Sequence, residues 1–326
     1  MHFVIFASPL DYHRYSYSDL FDSKNVEYVT KRIRSNSRII NALFKLHTSK
    51  KTNRFIKWPF KRIWFNQLCN FNRSCNDYCF VFFVGTTWYN MIENGFISYL
   101  KKKYKKSKFV CFWQDLVKRN KQALEVCRKE GYFDAVYSFD YNDCADYGFR
   151  YHGLVYSNKY KMQTCSIKND IYFVGLAKDR LHDIQETFYK LKSKGLMCDF
   201  HVVGAREEEK EAESGIDYCD SIPYDRNLEM ISQSRAILEI MQKDGSGFTL
   251  RTCEAIMFDK MLITDNNYIQ KAPFYSSENI VNLADIDSFD WDTFKKKTIF
   301  DHKYKEKLSP LLFIKEIESD LQNNEN

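Results

Sequence analysis

Proline and glycine are scarce in this chain, 5 and 11 among 326 residues, too few for a collagen-like or low-complexity protein. Hydrophobic residues at 44% and aromatics at 17% supply the apolar mass that a disordered chain lacks. No window approaches the 18 or more uninterrupted apolar residues of a membrane-spanning helix. The apolar start, Met1 to Leu10, lacks a basic leader and runs into Asp11, so no signal peptide is expected. Nor is there a CxxC: the tightest group among the ten cysteines, Cys69, Cys75 and Cys79, lacks metal-ligand spacing. Reduced thiols in a cytosolic protein, with no metal, are the expectation. A GxGxxG is also missing, since Gly245-Ser246-Gly247 is followed by Leu250 where the third glycine belongs, which disfavours a nicotinamide-dependent dehydrogenase.

Acidic residues are absent between Glu27 and Asp77, a stretch that holds twelve basic ones, Arg54, Lys57, Lys61 and Arg62 among them. Up to residue 165 the chain carries 28 Lys+Arg against 13 Asp+Glu, a net +15; the remainder has 21 against 30, a net −9. Interleaved with the cations stand Ile39, Leu43, Phe44, Phe55, Ile56, Trp58, Phe60, Ile63 and Trp64, a mix suited to the interface of an anionic bilayer. The same pattern fits helices that bury an apolar stripe and solvate a basic face. Phosphates and stacked bases would also suit it, but no nucleic-acid motif accompanies it, and no nucleic-acid partner is expected.

What is present is a rhythm of strand-length apolar runs separated by helix-length segments. His2 to Ala7, Phe80 to Val84, Lys108 to Trp113 and Ala135 to Phe139 read as buried strands, with helices over Tyr89 to Tyr104 and Lys118 to Glu130. The rhythm resumes with strands at Ile171 to Gly175, Asp199 to Gly204, Ala236 to Ile240, Met261 to Thr264 and Asn279 to Leu283. Helices fit Asp179 to Lys194, Asn227 to Ser234 and Phe248 to Phe258. The length favours two domains, and βα alternation makes them doubly wound α/β lobes: 1–160, with the basic segment 28–76, and 168–305. The last segment, 306–326, contains a helix over Ser309 to Leu321 that is expected to fold back on the first lobe.

Ligands of open α/β sheets sit beyond the carboxyl ends of the strands. Gly175 at such an end permits close approach, and Lys178 and Arg180 after it would neutralise a diphosphate or simply cap a helix. After Ala236 to Ile240 come Gly245, Ser246, Gly247, Phe248, Thr249, Arg251 and Glu254. Two glycines bring backbone N–H groups to a ligand at the positive end of the following helix. Glu254 shares a face with Arg251 and suits ribose hydroxyls. Asp265 and Asn266 overlook the same turn or form an Asx turn.

Gly245 to Asn266 resembles the nucleotide-sugar-binding lobe of the GT-B glycosyltransferases, closest to bacterial surface-polysaccharide and spore-maturation-type members. Phe173-Val174-Gly175 with Lys178 and Arg180, Tyr224, and Ala236-Ile237-Leu238-Glu239 support it. In the first lobe Phe112-Trp113-Gln114-Asp115 and Tyr137-Ser138-Phe139-Asp140 are similar to the corresponding region of the same proteins. The likeness covers about residues 108–285. It implies a GT-B-like fold, two Rossmann-like lobes facing across a cleft. The implied activity is a Leloir glycosyltransferase, which takes a nucleotide diphosphate sugar on the second lobe and an acceptor on the first, with no required metal. The expected acceptor is a glycan, lipid-linked, in bacterial surface polysaccharide or lipopolysaccharide synthesis. The expected place is peripheral, at the inner face of the cytoplasmic membrane.

One departure bears on mechanism. Retaining members of the family commonly carry two glutamates eight positions apart here, and eight before Glu254 stands Ser246; this favours inversion, which needs a general base from the first lobe. Asp115 is the first candidate, with Asp140, Asp11 and His13 as alternatives; an N-cap or turn role is the competing account of each. The leaving diphosphate would be stabilised by Lys178 or Arg180, Arg251 and the helix beginning near Gly247. A donor-hydrolysing epimerase and a non-catalytic docking protein remain the alternative functions.

Overall fold

The computed structural model describes residues 1–7, 10–30, 37–56, 58–69, 71, 77–84, 86–161 and 165–323. The chain divides into two compact units, the first comprising Met1–His13, Asp19–His152 and Leu311–Asn326, the second Arg14–Ser18 and Gly153–Pro310.

The first unit is built on β1 (His2–Phe6), β2 (Val26–Val29), β3 (Tyr78–Phe83), β4 (Lys108–Trp113), β5 (Ala135–Ser138) and β6 (Arg150–Tyr151), in the order β2-β1-β3-β4-β5-β6. The ladders are parallel. Parallel strands covered on both faces read as unbroken apolar runs, and every residue of the Tyr-Cys-Phe-Val-Phe-Phe strand β3 is buried. Aromatic rings fill the core: Phe6 lies 4.8 Å from Phe82 and 4.6 Å from Trp88 between ring centroids. The span Tyr89 to Tyr104 is two helices, Thr86–Glu93 and Phe96–Lys103. Gly95 between them has φ 92°, a left-handed residue at which an α-helix cannot continue.

The C-terminal helix, Pro310–Asn323, belongs to this unit from Leu311 on. Phe313 inserts beside Phe112 at 4.7 Å and His152 at 4.2 Å. Asp320 accepts the Tyr137 hydroxyl at 2.6 Å and pairs with Arg150 at 2.5 Å.

The second unit carries β7 (Asn169–Leu176), β8 (Cys198–Val203), β9 (Asp217–Cys219), β10 (Ser234–Glu239), β11 (Met261–Thr264) and β12 (Ile280–Asn282), in the order β12-β11-β10-β7-β8-β9. Its ladders are parallel too. The chain starts at a central strand, builds outward to β9, then returns to the other side of β7 with β10. That is the Rossmann strand order, whose switch point falls between β7 and β10. Helix Leu181–Ser193 lays Ile184, Phe188 and Leu191 on the face of Ile171 and Phe173. On the other face, helix Tyr224–Ser232 is tied down by the Tyr172 hydroxyl, which donates to Asn227 at 3.0 Å. Among the described residues no helix is long and apolar enough to cross a membrane.

Phe313 is 1% exposed, so Phe313→Ala is expected to destabilise the protein by about 3–5 kcal/mol. The urea midpoint checks this; a loss below about 1 kcal/mol would mean that the C-terminal helix is not part of the first core.

Candidate functional site

The carboxyl end of β7 and the loop after β10 meet at the switch point, and side chains lock them together. Arg180, 5% exposed, donates from Nε to the Leu176 carbonyl at 3.2 Å and from Nη1 to the Ile240 carbonyl. Arg251 donates from Nη2 to the Val174 carbonyl, and its guanidinium lies over the Phe173 ring at 5.6 Å. Lys178, exposed and held at φ 44°, reaches Gln242 at 3.0 Å.

Both guanidinium groups crowd Gly175. A Cβ placed there would lie 2.9 Å from the Phe173 ring, 3.0 Å from Arg180 Nη2 and 3.1 Å from Arg251 Nη2. Glycine is therefore required for close approach, not for a left-handed turn. Among the described residues neither arginine forms an ion pair with a carboxylate; their bonds go to backbone carbonyls. Burial, then repulsion by Arg251, lowers the Arg180 pKa to about 10. Arg251 Nε is buried without a hydrogen-bond partner. A buried cation beside a second, half-buried one is costly unless an anion joins them.

The loop after β10 turns at Asp244, the residue with the left-handed backbone (φ 67°). The helix it feeds is Leu250–Met257 and starts three residues beyond Gly247, with Thr249 as N-cap accepting from Arg251 N at 3.1 Å. Ser246, Gly247 and Phe248 are buried; Phe248 packs edge-on against Phe274 at 5.0 Å. Asn266 donates to the Gly247 carbonyl at 3.1 Å and accepts from Tyr268 N at 2.9 Å, an Asx turn that props the loop. Asp265 accepts from Met241 N at 2.7 Å, and burial raises its pKa to about 6. Gly245 precedes these residues in the same loop.

Glu254 is 3% exposed and does not stand open as its helix position suggests. Its Oε1 accepts from the Tyr224 hydroxyl at 2.7 Å and from Asn227 Nδ2 at 3.0 Å. Tyr224 in turn meets the Tyr156 hydroxyl at 3.0 Å. Burial raises the Glu254 pKa, while Arg251 and the two donors oppose the rise. Tyr224 and Glu254 thus converge, as parts of one buried chain running from Tyr156 to Tyr172.

Glu239, at the end of β10, is the residue that sequence reasoning passed over. It is fully buried and accepts from the hydroxyls of Thr249 at 2.5 Å, Thr252 at 2.8 Å and Thr264 at 2.6 Å. A carboxylate closing an apolar strand, followed by threonines, was the available signal. It fastens the N-cap of helix Leu250–Met257 to two strands.

The first-unit candidates occupy different environments. Asp115 is exposed after β4, and its Oδ1 accepts from Leu116 N at 2.9 Å. The pKa of Tyr12 is raised to about 12, by burial first and then by Asp115. Asp140 is fully buried and is the N-cap of helix Tyr141–Tyr147, accepting from Asp143 N at 3.1 Å. Asp11 is exposed in a turn, and the buried His13 ring pairs through Nδ1 with the Tyr28 hydroxyl at 3.0 Å. Of the basic patch, Lys61 bonds Asn53 Oδ1 at 2.5 Å and Arg62 is exposed, whereas Lys57 and the Arg54 side chain lie outside the described residues.

No family model matches the sequence, and no curated protein matches it. Solved structures do. The chain is similar to an α-glucosyltransferase solved with UDP and a 13-mer DNA containing a central A:G mismatch, at 11% identity over 98% of this chain and 99% of that one, TM-score 0.59. It is similar to α,α-trehalose 6-phosphate synthase from Burkholderia multivorans, at 11% identity over 92% and 84% of the chains, TM-score 0.51. A third likeness is to TarM, at 12% identity and TM-score 0.50, covering 79% of this chain but only 57% of TarM. At such identities the shared property is the fold.

Glu239→Ala strands three hydroxyls, those of Thr252 and Thr264 buried and that of Thr249 half-buried, and is expected to cost about 3 kcal/mol or more, with Glu239→Gln milder. Thermal melts of both variants check this; unchanged melting of the alanine variant would remove Glu239 from the scaffold of the site.

Proposed function

We propose, for a chain with the GT-B fold of glycosyltransferases, that it is a Leloir glycosyltransferase whose second unit binds a nucleotide diphosphate sugar. The observation that carries this reading is the buried Arg180 beside the half-buried Arg251 at the switch point, neither in an ion pair with a carboxylate among the described residues. A diphosphate beside Gly175 would supply the missing anion, with Lys178 and the N-terminus of helix Leu250–Met257 adding positive potential. Glu254 is 3% exposed and its Oε1 already accepts from Tyr224 and Asn227, so its other carboxylate oxygen is the one left to meet the ribose hydroxyls.

These groups hold the leaving diphosphate electrostatically, and the reaction is proposed to need no divalent metal. With Ser246 where a first glutamate would stand, inversion is favoured, and the base is assigned to Asp115 in the first unit. Asp140 is the poorer base, because its carboxylate already caps a helix. The acceptor is taken to be a glycan on a lipid carrier, in bacterial surface polysaccharide or lipopolysaccharide synthesis. The protein then works peripherally at the cytoplasmic face of the membrane.

Support for the membrane reading lies in the first unit. Helix Arg38–Thr48 has no buried residue, and Ile39, Phe55, Phe60 and Ile63 are 73%, 82%, 75% and 56% exposed. Arg38, Lys45, Lys61 and Arg62 accompany them. Apolar side chains among cations and no acids match an anionic interface. The basic surface also fits a nucleic-acid acceptor, a second reading prompted by the DNA bound to the structurally similar α-glucosyltransferase.

Calorimetry with UDP, GDP, dTDP and CMP, first without metal and then with magnesium, is expected to find one preferred nucleotide. Its affinity should fall about tenfold or more in Arg251→Ala, and transfer should be lost in Asp115→Asn with binding retained. No nucleotide binding at all would favour a docking protein, and donor hydrolysis without acceptor an epimerase-type enzyme.

Vesicles rich in anionic lipid should retain the protein at low ionic strength and release it with salt, and Phe55→Asp with Phe60→Asp should weaken retention. Indifference to vesicles, with capture by duplex DNA instead, would replace the membrane with nucleic acid.

A further inference from the structure

At the outer edge of the second sheet, four polar side chains project from one face of two neighbouring strands. Strand β8 supplies Asp199 and His201, two residues apart, and β9 supplies Asp217 and Cys219, again two apart. The parallel register sets His201 opposite Asp217 and Val203 opposite Cys219, so alternation along the strands brings all four to the same side. A nitrogen of His201, a carboxylate oxygen of Asp217 and the Cys219 sulfur lie within 4.8 Å of one another. His201 Nδ1 is 2.7 Å from Asp217, while its Nε2 is 2.9 Å from Asp199.

We propose that His201 Nδ1, Asp217 and Cys219 form a zinc-class metal site that staples strand β9 to β8, with Asp199 orienting the histidine and water completing the coordination. Imidazole, thiolate and carboxylate together select zinc among the common biological cations, because sulfur is too soft for magnesium or calcium. The carboxylate on the far ring nitrogen is the usual outer partner of a metal-binding histidine and would fix the tautomer that frees Nδ1. Donors on one tetrahedral zinc stand about 3.4–3.6 Å apart, given bond lengths of about 2.0–2.3 Å. The widest spacing in the set, up to 4.8 Å, therefore closes by about 1 Å while His201 Nδ1 and Asp217, now 2.7 Å apart, open by somewhat less, side-chain adjustments open to Asp217, which is 60% exposed.

The surroundings are consistent. His201 is 8% exposed, with the Tyr172 ring 6.0 Å away. Burial alone would lower its pKa, but the hydrogen bonds to Asp199 and Asp217 outweigh that and raise it. The Cys219 thiol is pushed up by burial and by Asp217 and Asp220, so it ionises only when a cation offsets them. Binding would release that thiol proton and the one His201 shares with Asp217. Arg226, near Asp199, is paired with Glu229 at 2.5 Å and leaves the cluster to the metal. A site is useful here because β9 has only three residues and ends the sheet, paired with β8 alone.

The competing account is a protonated His201 clamped between two aspartates with no metal. Cobalt(II) titration of the full-length, metal-stripped protein separates the two. A thiolate-to-cobalt charge-transfer band saturating at one equivalent, displaced by zinc, and a zinc-dependent rise in melting temperature are expected. Both should vanish in Cys219→Ser and His201→Gln, and persist in Cys198→Ser, a neighbouring cysteine on the opposite face of β8. No stoichiometric binding by the wild type, or binding that survives Cys219→Ser, would overturn the proposal. If Cys219→Ser failed to fold, absence of the band in folded wild type would still decide against it.

Discussion

The guanidinium groups of Arg180 and Arg251 tie three backbone carbonyls at the end of β7 and after β10, and the geometry of the second unit's site follows from that clasp. Strands diverge at a switch point, and the crevice left there must be bridged by side chains or by a ligand. Here the bridge is made of cations packed against a glycine that has no room for a Cβ. Their hydrogen bonds go to backbone carbonyls, while Asp265, Asp179 and Glu239 act on Arg180, and Arg251 on Glu254, only at longer range. Beneath the crevice Glu239 and its three threonines hold the next helix in position.

The first unit is organised by a different physics. Its core is aromatic, its sheet is flanked by the C-terminal helix, and its outer segment places Ile39, Phe55, Phe60 and Ile63 in solvent among cations. Counted over its own residues, the first unit carries 26 Lys+Arg against 17 Asp+Glu, a net +9, and the second 23 against 26, a net −3, so the surplus of cations belongs to the first. In the second unit, Arg180, Arg251 and the N-terminus of helix Leu250–Met257 gather near the end of β7.

Much of the fold was legible. The runs Lys108–Trp113 and Met261–Thr264 coincide with β4 and β11 residue for residue, because a strand buried on both faces needs continuous apolar sequence. The strands β2, β6 and β9 were not seen, and all three stand at sheet edges. These edge strands are short and largely half solvated, and their pairing comes from a neighbour, so no local pattern marks them; the fourth edge strand, β12, was legible because Ile280 and Val281 are apolar and buried. The break at Gly95 was likewise hidden inside a periodic stretch. In the site, Gly175, Arg180, Arg251 and Glu254 were visible as residues after strands, but not that Glu254 would be buried against Tyr224 and Asn227. A chain folded so that helix Tyr224–Ser232 lies under helix Leu250–Met257 is what makes that contact.

By itself, therefore, the sequence determined the α/β alternation, the central strands and the partition of charge, since each is written in neighbouring residues through periodicity and composition, whereas the loop after β10 turns at Asp244 rather than at a glycine. Only the tertiary structure decided the strand order that puts β7 beside β10, the convergence of Arg180 and Arg251 on Gly175, and the meeting of His201 with Asp217 and Cys219. Those depend on register between segments far apart in the chain, and register is settled by packing, not by local preference.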